Sequence, residues 1–300
     1  MSDLIFLRTV PHTGTFFCEH LLGAHSLISD RIVDLDGGRA RSSLNFLIDR
    51  VLDQEISFEE FKKLIICASY DRSSVVESSI SKNEIEKISS HFDYEYIVLV
   101  SHIVSAFYQK KYWIADLLSA GFMAKTLTPL RDPVLTVLTI LIQTGDENSI
   151  HKEDWYIYAE AALTNTFQGY QHLASLPEKW KPFTYFLAVD LLAKFSPGER
   201  LRRVRSLFID FLKIGIEPLV EKEIENWTVR HATEQEQLYG EFSKKSEFEH
   251  LIEARRICGM GKDPRGLDRK LDAEIDKYSE CSNLQDFFKS QGYSNLCWFR

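Results

Sequence analysis

Residues 4–17 read Leu4-Ile5-Phe6-Leu7-Arg8-Thr9-Val10-Pro11-His12-Thr13-Gly14-Thr15-Phe16-Phe17. Leu4 to Leu7 form a short apolar run, the texture of a strand covered on both faces. Pro11 breaks it. His12, Thr13, Gly14 and Thr15 make a small polar turn, and Phe16, Phe17, Leu21 and Leu22 resume at helical spacing. A strand, a polar loop and a helix N-terminus in this order offer backbone N–H groups and hydroxyls to an anion. The spacing differs from the G-x-x-x-x-G-K-[ST] loop of nucleoside triphosphatases. Taken alone, the stretch also fits a plain strand-to-helix turn with a Thr cap.

Outward from this stretch the pattern repeats. Asp30 to Leu35 alternates as a second strand, closed by Gly37 and Gly38. Ser57 and Glu60 form a capping-box pattern that opens a helix through Phe58, Phe61, Leu64 and Ile65. Tyr94 to Val100 is a β-branched, apolar strand ending at Ser101-His102, and an amphipathic helix follows it as far as Gly121. Phe122 to Leu130 reads as a strand that delivers Arg131-Asp132-Pro133. Pro133 stands where a helix begins, a position proline tolerates. Recurrent strand, loop and helix predict an α/β fold, a doubly wound parallel sheet with helices on both faces. Past Gly145 the texture changes. Residues 153–230 read as helix after helix, with Leu187, Leu191 and Leu192 among the residues on apolar stripes, and no further strand is expected there. The chain thus divides into an α/β core over 1–145 and a large, mainly helical part over 146–300, together one compact unit.

Composition narrows the function class. The chain has 300 residues, 44% hydrophobic and 12% aromatic, enough for a sizeable core. A net charge of −8 gives no general reason to expect nucleic acid as a partner. The five cysteines show no C-x-x-C pair, which argues against a disulfide framework or zinc site and for reduced thiols in a cytosol. No H-x-x-x-H spacing points to a metal. No apolar leader precedes the first strand and no run is long enough to span a bilayer, so a cytoplasmic protein without a membrane partner is expected. Nothing in the sequence speaks to oligomeric state.

In a doubly wound sheet, ligands bind beyond the carboxyl ends of the strands. Three polar groups fall there: Pro11 to Thr15, Ser101-His102, and Arg131-Asp132-Pro133. Thr139 follows Arg131 by eight residues, about two turns inside the next helix. An Arg fork and a neutral hydroxyl at that spacing can grip one phosphate. An ion pair of Arg131 with Asp132 or Asp116, and a back-bond of Thr139 to its own helix, remain the plain alternatives.

On these residues the chain resembles the sulfotransferases that use 3′-phosphoadenosine 5′-phosphosulfate (PAPS), which have a P-loop-like fold. In that family a P-K-[ST]-G-T-type loop binds the 5′-phosphosulfate, and R-D-P followed by a serine holds the 3′-phosphate. Pro11-His12-Thr13-Gly14-Thr15 and Arg131-Asp132-Pro133 with Thr139 are similar to these two elements. The nearest branch is the carbohydrate 2-O-sulfotransferases. Their V-P-K-T loop is similar to Val10-Pro11-His12-Thr13, and the second His of their H-G-H-V matches His102 in Val100-Ser101-His102-Ile103. The resemblance covers residues 4–145. It implies PAPS as co-substrate, held by Pro11, His12, Thr13, Gly14, Thr15 and Phe16 at one end and by Arg131 and Thr139 at the other. It implies His102 as general base, His12 as a catalytic partner at the leaving oxygen, no metal, and a hydroxyl-bearing small molecule or glycan as acceptor.

The family's loop Lys is His12 here. Protonated, His12 can support the leaving oxygen; neutral, it is a poorer electrophile. The same replacement fits a nucleotide-binding or interaction protein that has lost activity on this scaffold. Lys125 and Arg8 lie in neighbouring strands and are candidates for the missing cation. A P-loop kinase or NTPase is disfavoured by the lack of G-K-[ST]. The cluster Arg200, Arg202, Arg203 and Arg205 reads first as a solvated helix face. The loop 259–266 (GMGKDPRG) reads first as a connector, with a phosphate-covering role as its alternative. Cys18 reads as a buried core thiol before a reactive one.

Overall fold

The computed structural model describes residues 3–10, 13–29, 33–34, 47, 49–70, 83, 86–87, 94–102, 124–133, 136, 165–226, 273, 276–277 and 280–293. Pro11, His12, Thr139 and the loop 259–266 lie outside the described residues.

Strand β1 (Asp3–Thr9) leads into helix α1 (Thr15–Gly23). Then come β2 (Val33–Asp34), α2 (Phe58–Tyr70), β3 (Tyr96–His102) and β4 (Ala124–Leu130). The N-terminus of α2 carries the expected cap, the Glu60 N–H donating to Ser57 Oγ at 3.1 Å. Among the described residues the sheet is five-stranded and parallel, in the order β2-β3-β1-β4-β5, with β1 between β3 and β4.

The fifth strand corrects the expectation of helix throughout 153–230. A short 3-10 helix (Glu178–Phe183) precedes β5 (Thr184–Ala188), which pairs with β4 from Thr126↔Thr184 to Leu130↔Ala188. Helix α3 (Val189–Lys194) starts directly after it. The run Tyr185-Phe186-Leu187-Ala188-Val189 has aromatic and β-branched content that suits a strand. Its leucine spacing also suits a helix, and pairing to the exposed edge of β4 decides between them.

Helices cover both faces. Ile5 and Leu7 of β1, with Val98, Val100, Leu127 and Leu187, pack against Phe17, Leu21 and Leu22 of α1. The same core takes in Val204 of α4 (Pro197–Arg205) and Leu207 and Phe208 of the π-helix Ser206–Leu212. Cys18 lies in this core, and burial pushes its thiol well above the ordinary range, so it is an inert packing residue. The opposite face carries Leu4, Phe6 and Phe186 under a helical stretch over 165–174 and under α5 (Ser282–Ser290). There Phe186 meets Phe287 edge to face at 5.1 Å and Tyr170 meets Phe288 likewise at 5.1 Å.

The helical part is closed onto the N-terminal edge of the sheet. Tyr96 Oη donates to Leu212 O at 3.2 Å, and Lys125 Nζ donates to the same carbonyl at 2.5 Å. His25 Nε2 bonds Gly215 O at 2.9 Å, and Ser26 donates its N–H and hydroxyl to Glu217. Among the described residues no helix is long and apolar enough to cross a membrane.

Candidate functional site

The loops singled out by sequence come together because β3, β1 and β4 are neighbours running the same way. Thr9 at the end of β1 is in register with His102 at the end of β3. On the other side Leu7 is in register with Leu127, which brings the turn after Leu130 to the same edge. For His102 the strand position is described and the side chain is not.

The loop after β1 has a sharp local cause. Gly14 sits at the N-cap of α1 with φ 102° and ψ 31°, a left-handed conformation that side-chain-bearing residues rarely adopt. A Cβ there would lie 2.8 Å from Val189 Cγ1, so the position excludes a side chain on packing grounds too. Gly14 therefore lets the start of α3 close over the start of α1. Thr13 is buried and donates its hydroxyl to Val10 O at 2.7 Å, which pulls the loop shut on itself. Its side chain braces the loop, and its offer to a ligand is the backbone N–H. Gly14 brings no capping side chain and the first turn of α1 holds no acidic residue, so the positive helix end is not neutralised from within.

Two hydroxyls at this end are left over. The Oγ1 atoms of Thr9 and Thr15 are buried and have no hydrogen-bond partner among the described residues. Thr128 Oγ1, near the end of β4, is in the same condition. An unpaired buried hydroxyl costs about 1–3 kcal/mol, and a ligand acceptor would recover it. Thr15 was expected to face an anion; Thr9 was missed because it reads as one more strand residue. Phe16 is strongly exposed, 77%, and stacks on His20 with ring centroids 6.3 Å apart. It stands on the solvent side of the first turn of α1.

The Arg131 turn is held by groups the sequence did not flag. Tyr170 Oη donates to Arg131 O at 2.7 Å and accepts from Arg131 N at 3.2 Å. The Asp132 N–H donates to Asp190 Oδ2 at 3.1 Å, and Tyr293 Oη donates to Asp190 Oδ1 at 2.5 Å. Asp132 and Asp190 are both buried. Burial and then the Asp190 charge push the Tyr293 phenol well above its usual range, so it remains a donor. Pro133 begins a helix as expected: the Thr136 N–H and hydroxyl both donate to Asp132 O, each at 2.9 Å. Asp190 had one usable signal, its place just past the strand Thr184–Ala188, and that strand had been read as helix.

The two candidate cations divide. Lys125 stands near the start of β4, roughly 20 Å from Arg131 along the strand, engaged with Leu212 O and lying over the Tyr96 ring. It is at the wrong edge to serve the loop. Arg8 is the penultimate residue of β1, on the face away from α1, and its Nη2 is 2.8 Å from His172 Nε2. A guanidinium has no acceptor, so His172 Nε2 accepts and its proton sits on Nδ1. Burial first and the Arg8 charge second lower His172 to about 4.

Three of the four arginines in the cluster pair with nearby carboxylates. Arg202 pairs with Glu199 at 2.6 Å, Arg203 with the same carboxylate at 3.5 Å, and Arg205 with Glu221 at 3.0 Å. Among the described residues no group of three or more His, Cys, Asp or Glu could hold a metal ion.

No family model matches the chain. No curated protein matches it either. Among solved structures it is similar to the sulfotransferase domain of the Synechococcus PCC 7002 olefin synthase. That match has 10% identity and a TM-score of 0.43, over 88% of this chain and 96% of that chain.

Proposed function

We propose that this protein transfers a sulfuryl group from PAPS to an acceptor hydroxyl, on a carbohydrate in the leading case. The observation that carries the reading is the edge itself. The ends of β3, β1 and β4 stand side by side. On that edge are a left-handed Gly14, the open N-terminus of α1 and two hydroxyls, Thr9 and Thr15, that have no partner among the described residues. Unused donors around a positive helix end suit the phosphosulfate end of such a donor nucleotide.

In this reading the loop from Pro11 to Phe16 holds the 5′ end, with backbone N–H groups and the Thr15 hydroxyl as donors. Arg131, its peptide gripped by Tyr170, and Thr139 hold the 3′-phosphate. His102 takes the proton from the acceptor hydroxyl as that oxygen attacks sulfur. The bond from sulfur to the bridging phosphate oxygen breaks, and His12 together with the loop donors stabilises the charge left on that oxygen. Adenosine 3′,5′-bisphosphate leaves as product. The protein needs no metal for these steps and acts in the cytoplasm.

Calorimetric titration with adenosine 3′,5′-bisphosphate against ATP tests the nucleotide assignment. Tight binding of the bisphosphate and weak binding of ATP is the expected result; a preference for ATP overturns it. Given bisphosphate binding, His102→Ala is expected to abolish transfer while keeping nucleotide affinity. Bisphosphate binding without transfer to any hydroxyl acceptor would favour the second reading, a binding protein in which His12 has replaced the catalytic lysine.

A further inference from the structure

Building on the nucleotide reading above, we propose that Asp190 and Tyr293 are positioning residues for Arg131, so that the C-terminal segment Ser282–Tyr293 sets selectivity for a nucleotide bearing a 3′-phosphate. The segment is built to deliver one phenol. Helix α5 ends with Gly292 at φ 97°, where the Gly292 N–H bonds Lys289 O at 3.0 Å and the Tyr293 N–H bonds Phe288 O at 3.1 Å. This pair of bonds is the glycine-dependent helix stop that turns the chain back on itself. The accompanying contact is aromatic, with Tyr293 edge to face on Phe288 at 5.2 Å. The turn carries Tyr293 Oη to Asp190, 103 residues away in the chain.

Asp190 Oδ1 accepts from the C-terminal phenol and from the Leu191 N–H at the start of α3, and Oδ2 accepts from the Asp132 N–H. Tyr170, on the other side, grips both polar atoms of the Arg131 peptide. Phe288 packs against Tyr170 as well as Tyr293, so both grips share one wall. The peptide units of Arg131 and Asp132 are thereby tied on both sides, which fixes the direction in which the Arg131 side chain leaves the strand. An apolar contact would seat α5 without desolvating a carboxylate. The buried Asp190 ties the first turn of α3 to the residue after Arg131.

The test measures binding of adenosine 3′,5′-bisphosphate and adenosine 5′-monophosphate to the full chain by calorimetry, with a thermal melt beside each protein. The unsubstituted chain is expected to prefer the bisphosphate. Tyr293→Phe is expected to lose about tenfold in bisphosphate affinity while keeping the monophosphate within about twofold. An equal loss for both nucleotides, or no loss, overturns the inference. Should Tyr293→Phe not fold, Asp190→Asn is read by the same ratio, since it removes the charge and retains an acceptor oxygen. A chain with no preference for the bisphosphate before substitution overturns the nucleotide reading and this inference with it. A preference that both variants leave intact overturns this inference alone.

Discussion

The two edges of the sheet treat buried polar atoms in opposite ways. At the N-terminal edge those among the described residues find partners. Tyr96 and Lys125 converge on the single carbonyl of Leu212, and His25 and Ser26 reach Gly215 and Glu217. At the C-terminal edge the hydroxyls of Thr9, Thr15 and Thr128 are buried without a partner among the described residues. Buried polar groups are normally satisfied, and those that are not call for a reason. One edge is a seam that fastens the helical part onto the sheet. The other holds hydrogen-bonding capacity in reserve beside a helix N-terminus, which is how a site differs from a joint.

The largest effect should come from closing the loop's left-handed turn. Gly14→Ala places a Cβ 2.8 Å from Val189 Cγ1 at a φ of 102°. Strain and overlap together should cost about 3 kcal/mol and abolish bisphosphate binding. Adding Val189→Ala removes the overlap and leaves the dihedral strain, so denaturant midpoints should recover in part. Full recovery by the second substitution would show that the conformation at Gly14 is not what the loop needs.

The contrast between the edges is sharpened by one substitution at each. Lys125→Met keeps the side-chain length but removes a charged donor to Leu212 O and the cation over the Tyr96 ring. It should destabilise by about 2 kcal/mol and leave bisphosphate affinity unchanged. Thr9→Val should do the reverse. It deletes a fully buried hydroxyl that has no partner among the described residues, which should raise stability by about 1 kcal/mol and weaken bisphosphate binding severalfold. Thermal melts and titrations on the two proteins decide it. If Thr9→Val destabilises, that hydroxyl is satisfied in solution and the two edges are not opposites.

Much of this arrangement is legible from local sequence. The strands at Leu4, Tyr94 and Phe122 each announce themselves by an apolar run with a polar stop, and parallel pairing puts their stops at one edge. The helix start at Ser57 carries its own cap. What was not legible is what depends on partners far along the chain. Residues 184–188 fit strand and helix equally until β4 offers an edge. Tyr170 meets Arg131 from 39 residues away, and Tyr293 meets Asp190 from 103. No spacing rule spans such distances. Asp190 was hidden twice, once by the misread strand and once by its remote partners. Lys125 shows the converse. Sequence places it in a strand near the loop, and the direction of β4 carries it to the opposite edge.

The smallest effect concerns Arg8 and His172, which join β1 to the helix over it. With its proton on Nδ1 and Nε2 accepting from Arg8, the folded ring resists protonation down to about 4, against an ordinary 6.5. Between those values the unfolded chain takes up a proton that the folded chain refuses. Stability is therefore complete above pH 6.5, falls as pH drops from 6.5 to 4, and changes no further from this group below 4. The ring is partly exposed, so solvent screening reduces the effect to roughly 0.5–1 kcal/mol. Glu199 and Glu217, whose partners hold them below the usual carboxylate range, contribute their own loss in more acidic solution. Urea midpoints at pH 7 and pH 5 avoid that range. His172→Gln retains an acceptor for Arg8 and does not titrate, so its midpoint should change less between the two pH values than that of the unsubstituted chain. Equal changes would mean that the folded ring accepts the proton and lets Arg8 go.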